Sequence, residues 1–243
     1  MEALTVFLVA LLTALATGLG AVPFVFARSP SRSRLGTANS LAAGLMLGAS
    51  VGLLYEGAGH GVERTALGAL AGAVFIFLSQ RLIDSHDTLH LGSLRGADAT
   101  KALLIVGIMT IHSFAEGVGI GVAFGEEQAL GILIGLAIAV HNIPEGLAIS
   151  LVLVPRGTSP RTAAAWSVFS SVPQPLMAVP AFLFVEEFTG FLPIGLGFAA
   201  GAMIWLVAAD LVPEALETSR PLSVACTVTA SAAAMLAFVL LLL

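Results

Sequence analysis

Charge is scarce in this chain: only 10% of its 243 residues are charged, where an ordinary soluble domain carries about a quarter. Too few ionic side chains remain to cover a water-facing surface, so a soluble enzyme is excluded as the natural reading. Cysteine is nearly absent. The lone Cys226 rules out a disulfide framework and a cysteine-built metal site, and its apolar surroundings predict a buried thiol. Aromatics reach only 7%, with a single tyrosine, and the ten Lys and Arg do not form a basic patch, so nucleic-acid binding has no support. What is abundant is apolar: 58% of residues are hydrophobic and mean hydropathy is +1.01. The 26 glycines suit helices that pack closely in lipid, where small residues let backbones approach. The composition predicts an all-α polytopic membrane protein.

A membrane span needs about 20 mostly apolar residues. Eight such runs fall near 3–26, 38–56, 64–83, 102–124, 128–154, 162–185, 191–212 and 221–243, which leaves residues 1–243 as a single transmembrane domain with no soluble part. Lys and Arg collect on cytoplasmic loops. Nine of the ten cations lie in alternate loops, among them Arg28, Arg32, Arg34, Arg81, Arg156, Arg161 and Arg220, with Arg64 alone opposite. Both termini are therefore expected outside. The first run begins MEALTVFLVA without a basic lead and is too long for a signal-peptide core, so it reads as an uncleaved span. LAAGLMLGASVGLLYEG (41–57) in span two returns as FAAGAMIWLVAADLVPEA (198–215) in span seven. Those spans start on opposite sides, so the repeats are expected to be inverted, an arrangement found in secondary transporters with a midplane site.

HSFAEG begins at His112 and HNIPEG at His141, both well inside expected spans. An ionisable group at mid-bilayer costs a few kcal/mol and persists mainly at ion paths and ligand sites. Four residues apart, His112 and Glu116 share one helix face, as do His141 and Glu145. Two opposed faces would present two imidazoles and two carboxylates, a set suited to Zn²⁺ and also to Fe²⁺ or Mn²⁺, and poorly suited to Na⁺ or K⁺. Pro144 removes a backbone donor between the members of the second pair, which predicts a kinked or loosened helix there. Gly117 and Gly146 follow the two glutamates and would let a neighbouring helix come close.

HSFAEG, HNIPEG, the AAGxM repeats and SSVPQPLMAVPAF of span six together resemble the ZIP (Zrt/Irt-like) divalent metal transporters, in particular their bacterial and plant-organelle branch. The resemblance implies inverted three-helix repeats flanking two central metal-binding helices, and uptake of metal toward the cytoplasm. It carries His112, Glu116, His141 and Glu145 over as the primary site. Relatives often have Asn after the first histidine and a carboxylate before the span-six proline, both serving a second metal position; here Ser113 and Gln174 stand in those places, while Asn142 matches. The resemblance thus implies one strong site, with Ser113, Asn142, Gln174 and the shared glutamates forming a weak or absent second one. Met46 is a further weak candidate on the same ground.

His86 and His90 lie in the loop where such proteins often carry histidines thought to receive metal at the exit, a reading that stands level with simple solvated residues. Glu56, His60 and Glu63 cluster on the outer side, where they could gather cations at the entrance; solvated loop charge is the plainer reading of these, and Asp210 and Glu214 near the end of span seven are open in the same way. The function expected is transport of a divalent ion (Zn²⁺, with Fe²⁺, Mn²⁺ or Cd²⁺ as other cargoes) as substrate rather than cofactor. The partners expected are the metal ion, the lipid bilayer and a second copy in a homodimer, and the expected host is a bacterial inner membrane. An intramembrane zinc hydrolase is the rival, weakened because HExxH is absent and both glutamates are wanted as ligands. A structural scaffold is the third reading.

Overall fold

The computed structural model describes residues 2–26, 31–84, 90–91, 94–95 and 97–242, with side chains outside 82–101, 126, 186, 187 and 242. Among the described residues, the regular structure is helical apart from a two-residue antiparallel ladder pairing His90–Leu91 with Leu94–Arg95. The helices are α1 (Glu2–Thr17), α2 (Val22–Phe26), α3 (Arg32–Asp84), α4 (Ala97–Glu126), α5 (Gln128–Leu153), α6 (Pro160–Ser170), α7 (Pro173–Leu183), α8 (Val185–Thr189), α9 (Leu192–Leu206), α10 (Val212–Thr218) and α11 (Pro221–Leu242). A short 3₁₀ turn, Gly18–Ala21, joins α1 to α2, and a π turn, Val207–Leu211, joins α9 to α10.

Among the described residues, six continuous stretches are long and apolar enough to cross a membrane: Glu2–Phe26, Arg32–Arg81, Ala102–Gly125, Gln128–Leu153, Leu192–Thr218 and Pro221–Leu241. The difference from eight has two physical causes. The second and third expected spans run together in α3, interrupted only at Gly61, whose φ of 154° and ψ of 101° are tolerated by glycine because it has no Cβ. A Cβ on Gly57 would lie 2.9 Å from the Thr65 side chain, whereas eight residues of straight helix rise about 12 Å, so the chain turns sharply at Gly61. The sixth expected span is broken into α6 and α7, with Pro173 opening the second piece and only 11 residues in each.

The packing suits a bundle surrounded by lipid. On α1 the buried face is Val6, Ala10, Thr13, Ala14 and Thr17, while Leu4 (62% exposed) and Leu12 (64%) face outward. Small residues inside and leucines outside reverse the soluble pattern, because lipid accepts the leucines and the close helix contacts need the small ones. Cys226 follows the same logic and corrects the expectation of a buried thiol: it is exposed on α11. Hydrophobicity there marks the outer face, not the core.

α3 packs most extensively on α9 and α11, while α1, α4, α5 and α7 pack on one another. At one end of this bundle Arg64 Nη1 donates to the Gly190 carbonyl at 3.2 Å, and a Cβ on Gly125 would lie 3.0 Å from Val185. At the other end Arg156 Nη2 lies 3.6 Å from Glu214 Oε1, tying the end of α5 to α10. Asp210, in the π turn, accepts from Gln80 Nε2 at 3.1 Å, and Gln80 Oε1 accepts from Trp205 Nε1 at 2.9 Å. These two acids are thus structural partners. Pro213, just after the π turn, lacks the backbone donor that an α-helical register would use there.

Candidate metal centre

α4 and α5 are joined only by Glu127, so they lie side by side and antiparallel, with their polar faces opposed at mid-length. α5 keeps helical backbone from Gln128 to Leu153 with Pro144 inside it, so the missing backbone donor between His141 and Glu145 does not end the helix.

His112, Glu116, His141 and Glu145 are all buried and offer one ligand atom each within 4.8 Å of one another. The shortest contact runs between helices. Glu145 Oε1 is 2.9 Å from His112 Nε2 on α4 and 3.3 Å from His141 Nε2 on its own helix. Glu116 Oε1 is 3.5 Å from His112 Nε2 and 3.7 Å from His141 Nδ1. Each carboxylate therefore bridges both imidazoles, and the two i, i+4 pairs interlock into one cluster. Beyond these mutual contacts, His112 Nδ1 and Nε2, Glu116 Oε1, His141 Nε2 and both Glu145 oxygens are buried without a hydrogen bond of regular geometry. Unsatisfied polar atoms converging in a buried core are costly unless something binds them. Their chemistry fits one divalent ion.

The glycines after the glutamates hold the neighbouring helices against this cluster. A Cβ on Gly146 would sit 1.7 Å from the Thr17 carbonyl oxygen of α1, and one on Gly117 would sit 2.5 Å from the Gln174 carbonyl oxygen of α7. Such approach is open only to glycine.

Beside the four lies a closed amide network. Gln174 Nε2 donates to Glu116 Oε2 in a short hydrogen bond and, at 3.3 Å, to Asn142 Oδ1; Asn142 Nδ2 donates to Gln174 Oε1 at 3.1 Å and to the Thr13 carbonyl at 2.8 Å. Thr13 Oγ1 lies 2.7 Å from Gln174 Oε1, and Thr17 Oγ1 pairs with Ser171 Oγ at 2.7 Å. The expected secondary set is only partly assembled. Asn142 and Gln174 pair with each other and Gln174 reaches Glu116; Ser113 is fully buried with its Oγ making no hydrogen bond, and Met46 is fully buried in the main hydrophobic core.

His86 lies outside the described residues, as does the His90 side chain. His60 and Glu63 are exposed, whereas Glu56 is half-buried and lines a cavity shared with Glu116 and His141. The sequence reading missed two participants, Thr13 and Thr17. The signal was there: they continue the Ala10 and Ala14 stripe at helical spacing and are polar in an otherwise apolar run.

The family profile of the ZIP zinc transporters matches residues 79–243, which include His112, Glu116, His141 and Glu145. The chain belongs to the ZIP zinc transporter family. It is 34% identical to the zinc transporter GufA of Myxococcus xanthus, over 84% of this chain and 85% of that protein. It is 29% identical to a zinc transporter ZupT of Corynebacterium aurimucosum over 88% of each. A candidate zinc transporter of Arabidopsis thaliana is 50% identical over 95% of this chain, which spans only 38% of that longer protein. This ZIP chain thus groups with membrane transporters and not with enzymes.

Proposed function

We propose that this ZIP chain carries a divalent transition metal ion, Zn²⁺ before Fe²⁺, Mn²⁺ or Cd²⁺, across a bacterial inner membrane toward the cytoplasm. The observation that carries the reading is the interlocked His112, Glu116, His141 and Glu145 cluster, with ligand atoms buried and within 4.8 Å of one another at the middle of two apolar helices. Two imidazoles and two carboxylates would satisfy a tetrahedral borderline ion, with all four positions supplied by protein. A hydrolytic site would keep one position open for water, so the geometry favours carriage over hydrolysis. Relatives from Myxococcus xanthus and Corynebacterium support a bacterial membrane.

The topology that goes with this reading has eight spans and both termini outside, with spans one to three related to six to eight by inversion. Helix pairing supports the inversion. Gly44 of the first AAGxM repeat packs on Ser231 and Val228 of α11, and Gly201 of the second packs on Ala69 in the later half of α3. Those are the exchanged partners that a twofold relation between spans two and seven, and three and eight, requires. One transport domain fills the chain, and a homodimer is the assembly to test.

Saturable Zn²⁺ uptake into proteoliposomes, with Fe²⁺, Mn²⁺ and Cd²⁺ as competitors, tests the function; no uptake of any of them overturns it. Because protons and metal compete for the same imidazole and carboxylate atoms, binding releases protons, and affinity rises with pH. Apparent Zn²⁺ affinity is expected to fall about tenfold per pH unit on acidification for each proton displaced. Titration calorimetry at several pH values reads this directly. Zn²⁺ at about 100 times its Kd is also expected to stabilise the solubilised protein by about 2.7 kcal/mol, reversed by chelator. A scaffold without a metal site would show neither.

The Gln174 amide occupies the second position. Changing it to glutamate removes the donor to Glu116 and puts a second carboxylate beside it. Gln174→Glu is expected to lower the melting temperature of the metal-free protein through like-charge repulsion and to raise bound Zn²⁺ from one to two per chain. Elemental analysis after dialysis decides; one ion in both proteins would exclude a latent second site.

A further inference from the structure

Between the four-residue cluster and the Gly125 and Gly190 end of the bundle lies a cavity of about 40 Å³. Its polar lining is Glu56 of α3, Glu116 of α4 and His141 of α5; Gly119, Ile134 and Ile138 are among the rest. A water needs roughly 10–15 Å³ of such space, so the cavity holds about three, enough for an ion that keeps part of its hydration shell. At its inner end Glu116 Oε1 and His141 Nε2 are buried without a hydrogen bond of regular geometry, in residues only 1% and 5% exposed. Toward the other end stands the half-buried carboxylate of Glu56. The remaining walls are aliphatic, so a cation moving along the cavity trades its waters for carboxylate oxygens and little else. Low-dielectric walls also focus the field of a single carboxylate on that path.

We propose that Glu56 is the receiving carboxylate of the transport path: it attracts a partly hydrated divalent cation at the mouth of this cavity and passes it to Glu116 and His141. The inference rests on the transport reading above and adds a station on the opposite half of the bundle, since Glu56 belongs to α3 and the cluster to α4 and α5. Gly119 supplies an independent handle on the same path, because a Cβ there would meet nothing within 4 Å and larger side chains have the cavity to fill.

Initial rates of Zn²⁺ uptake in proteoliposomes test it. Glu56→Gln keeps the volume and removes the charge; it is expected to raise KM three- to tenfold with Vmax within twofold of wild type. Glu56→Asp is expected to restore KM to within twofold, which a purely packing role would not. Gly119→Leu is expected to lower Vmax/KM at least fivefold while Zn²⁺ still raises the melting temperature of the solubilised protein. A KM for Glu56→Gln within twofold of wild type, a fall in Vmax alone, or unimpaired uptake by Gly119→Leu would overturn the proposal while leaving the transport reading intact. Uptake absent from wild-type vesicles would instead overturn that reading, and this inference with it.

Discussion

Glu145→Ala is expected to abolish saturable Zn²⁺ uptake and to weaken Zn²⁺ binding by at least about 100-fold. Outer partners of metal ligands cost 10–100-fold when removed, so loss of a ligand itself belongs at or beyond the upper figure. Glu145 is the most exacting of the four to lose because its Oε1 stands within 2.9 Å of His112 Nε2 and 3.3 Å of His141 Nε2, closer to each imidazole than Glu116 is. Without it the two histidines retain one carboxylate, and the charge that draws a dication into an apolar interior is halved. The folded state is expected to survive, since a carboxylate in that interior is itself costly without an ion. Glu145→Gln keeps the shape and is expected to lose uptake as well, separating charge from packing. His141→Ala should match. Unchanged saturable uptake in both Glu145→Ala and His141→Ala would remove the cluster from the transport path.

Gly146→Ala is expected to have the largest effect on folding. Its Cβ would fall 1.7 Å from the Thr17 carbonyl oxygen, and the opposing atoms are backbone that cannot swing away. Overpacking a tight core usually costs 1–3 kcal/mol, and a clash between two helix backbones sits at about 3 kcal/mol or above. Moving α1 outward would also open the hydrogen bonds from Asn142 to Thr13 and from Thr13 to Gln174, so the amide network beside Glu116 would lose its anchor. Gly107→Ala is the matched control: it lies on α4, its Cβ would meet nothing within 4 Å, and it is expected to be neutral or slightly stabilising. Yield of monodisperse protein and melting temperature distinguish the two. Equal stability of both variants would show that α1 does not bear on α5 as closely as described.

How much of this was written in the chain depends on whether the signal is local. HSFAEG and HNIPEG could be read as two helix faces because four residues make about one turn, and Gly117 and Gly146 could be read as points of close approach because they carry no side chain. Hydropathy gave the helical stretches for the same local reason. Cys226 was misplaced because an apolar run looks alike whether it meets protein or lipid; only the packing of α11 along one side distinguishes them. Pro144 could be read as a lost backbone donor inside α5, and α5 continues through it to Leu153.

The sequence by itself determined the membrane class, the four candidate ligands and the close-packing glycines, because hydropathy and helical period act over one or two turns. The tertiary structure alone decided that Glu145 reaches across to His112, that Gln174 pairs with Asn142 and donates to Glu116, and that Glu56 faces the cavity above them. Those contacts depend on how separate helices are rotated and offset against one another. No local period fixes that rotation; it is set where whole faces meet and their small residues interlock.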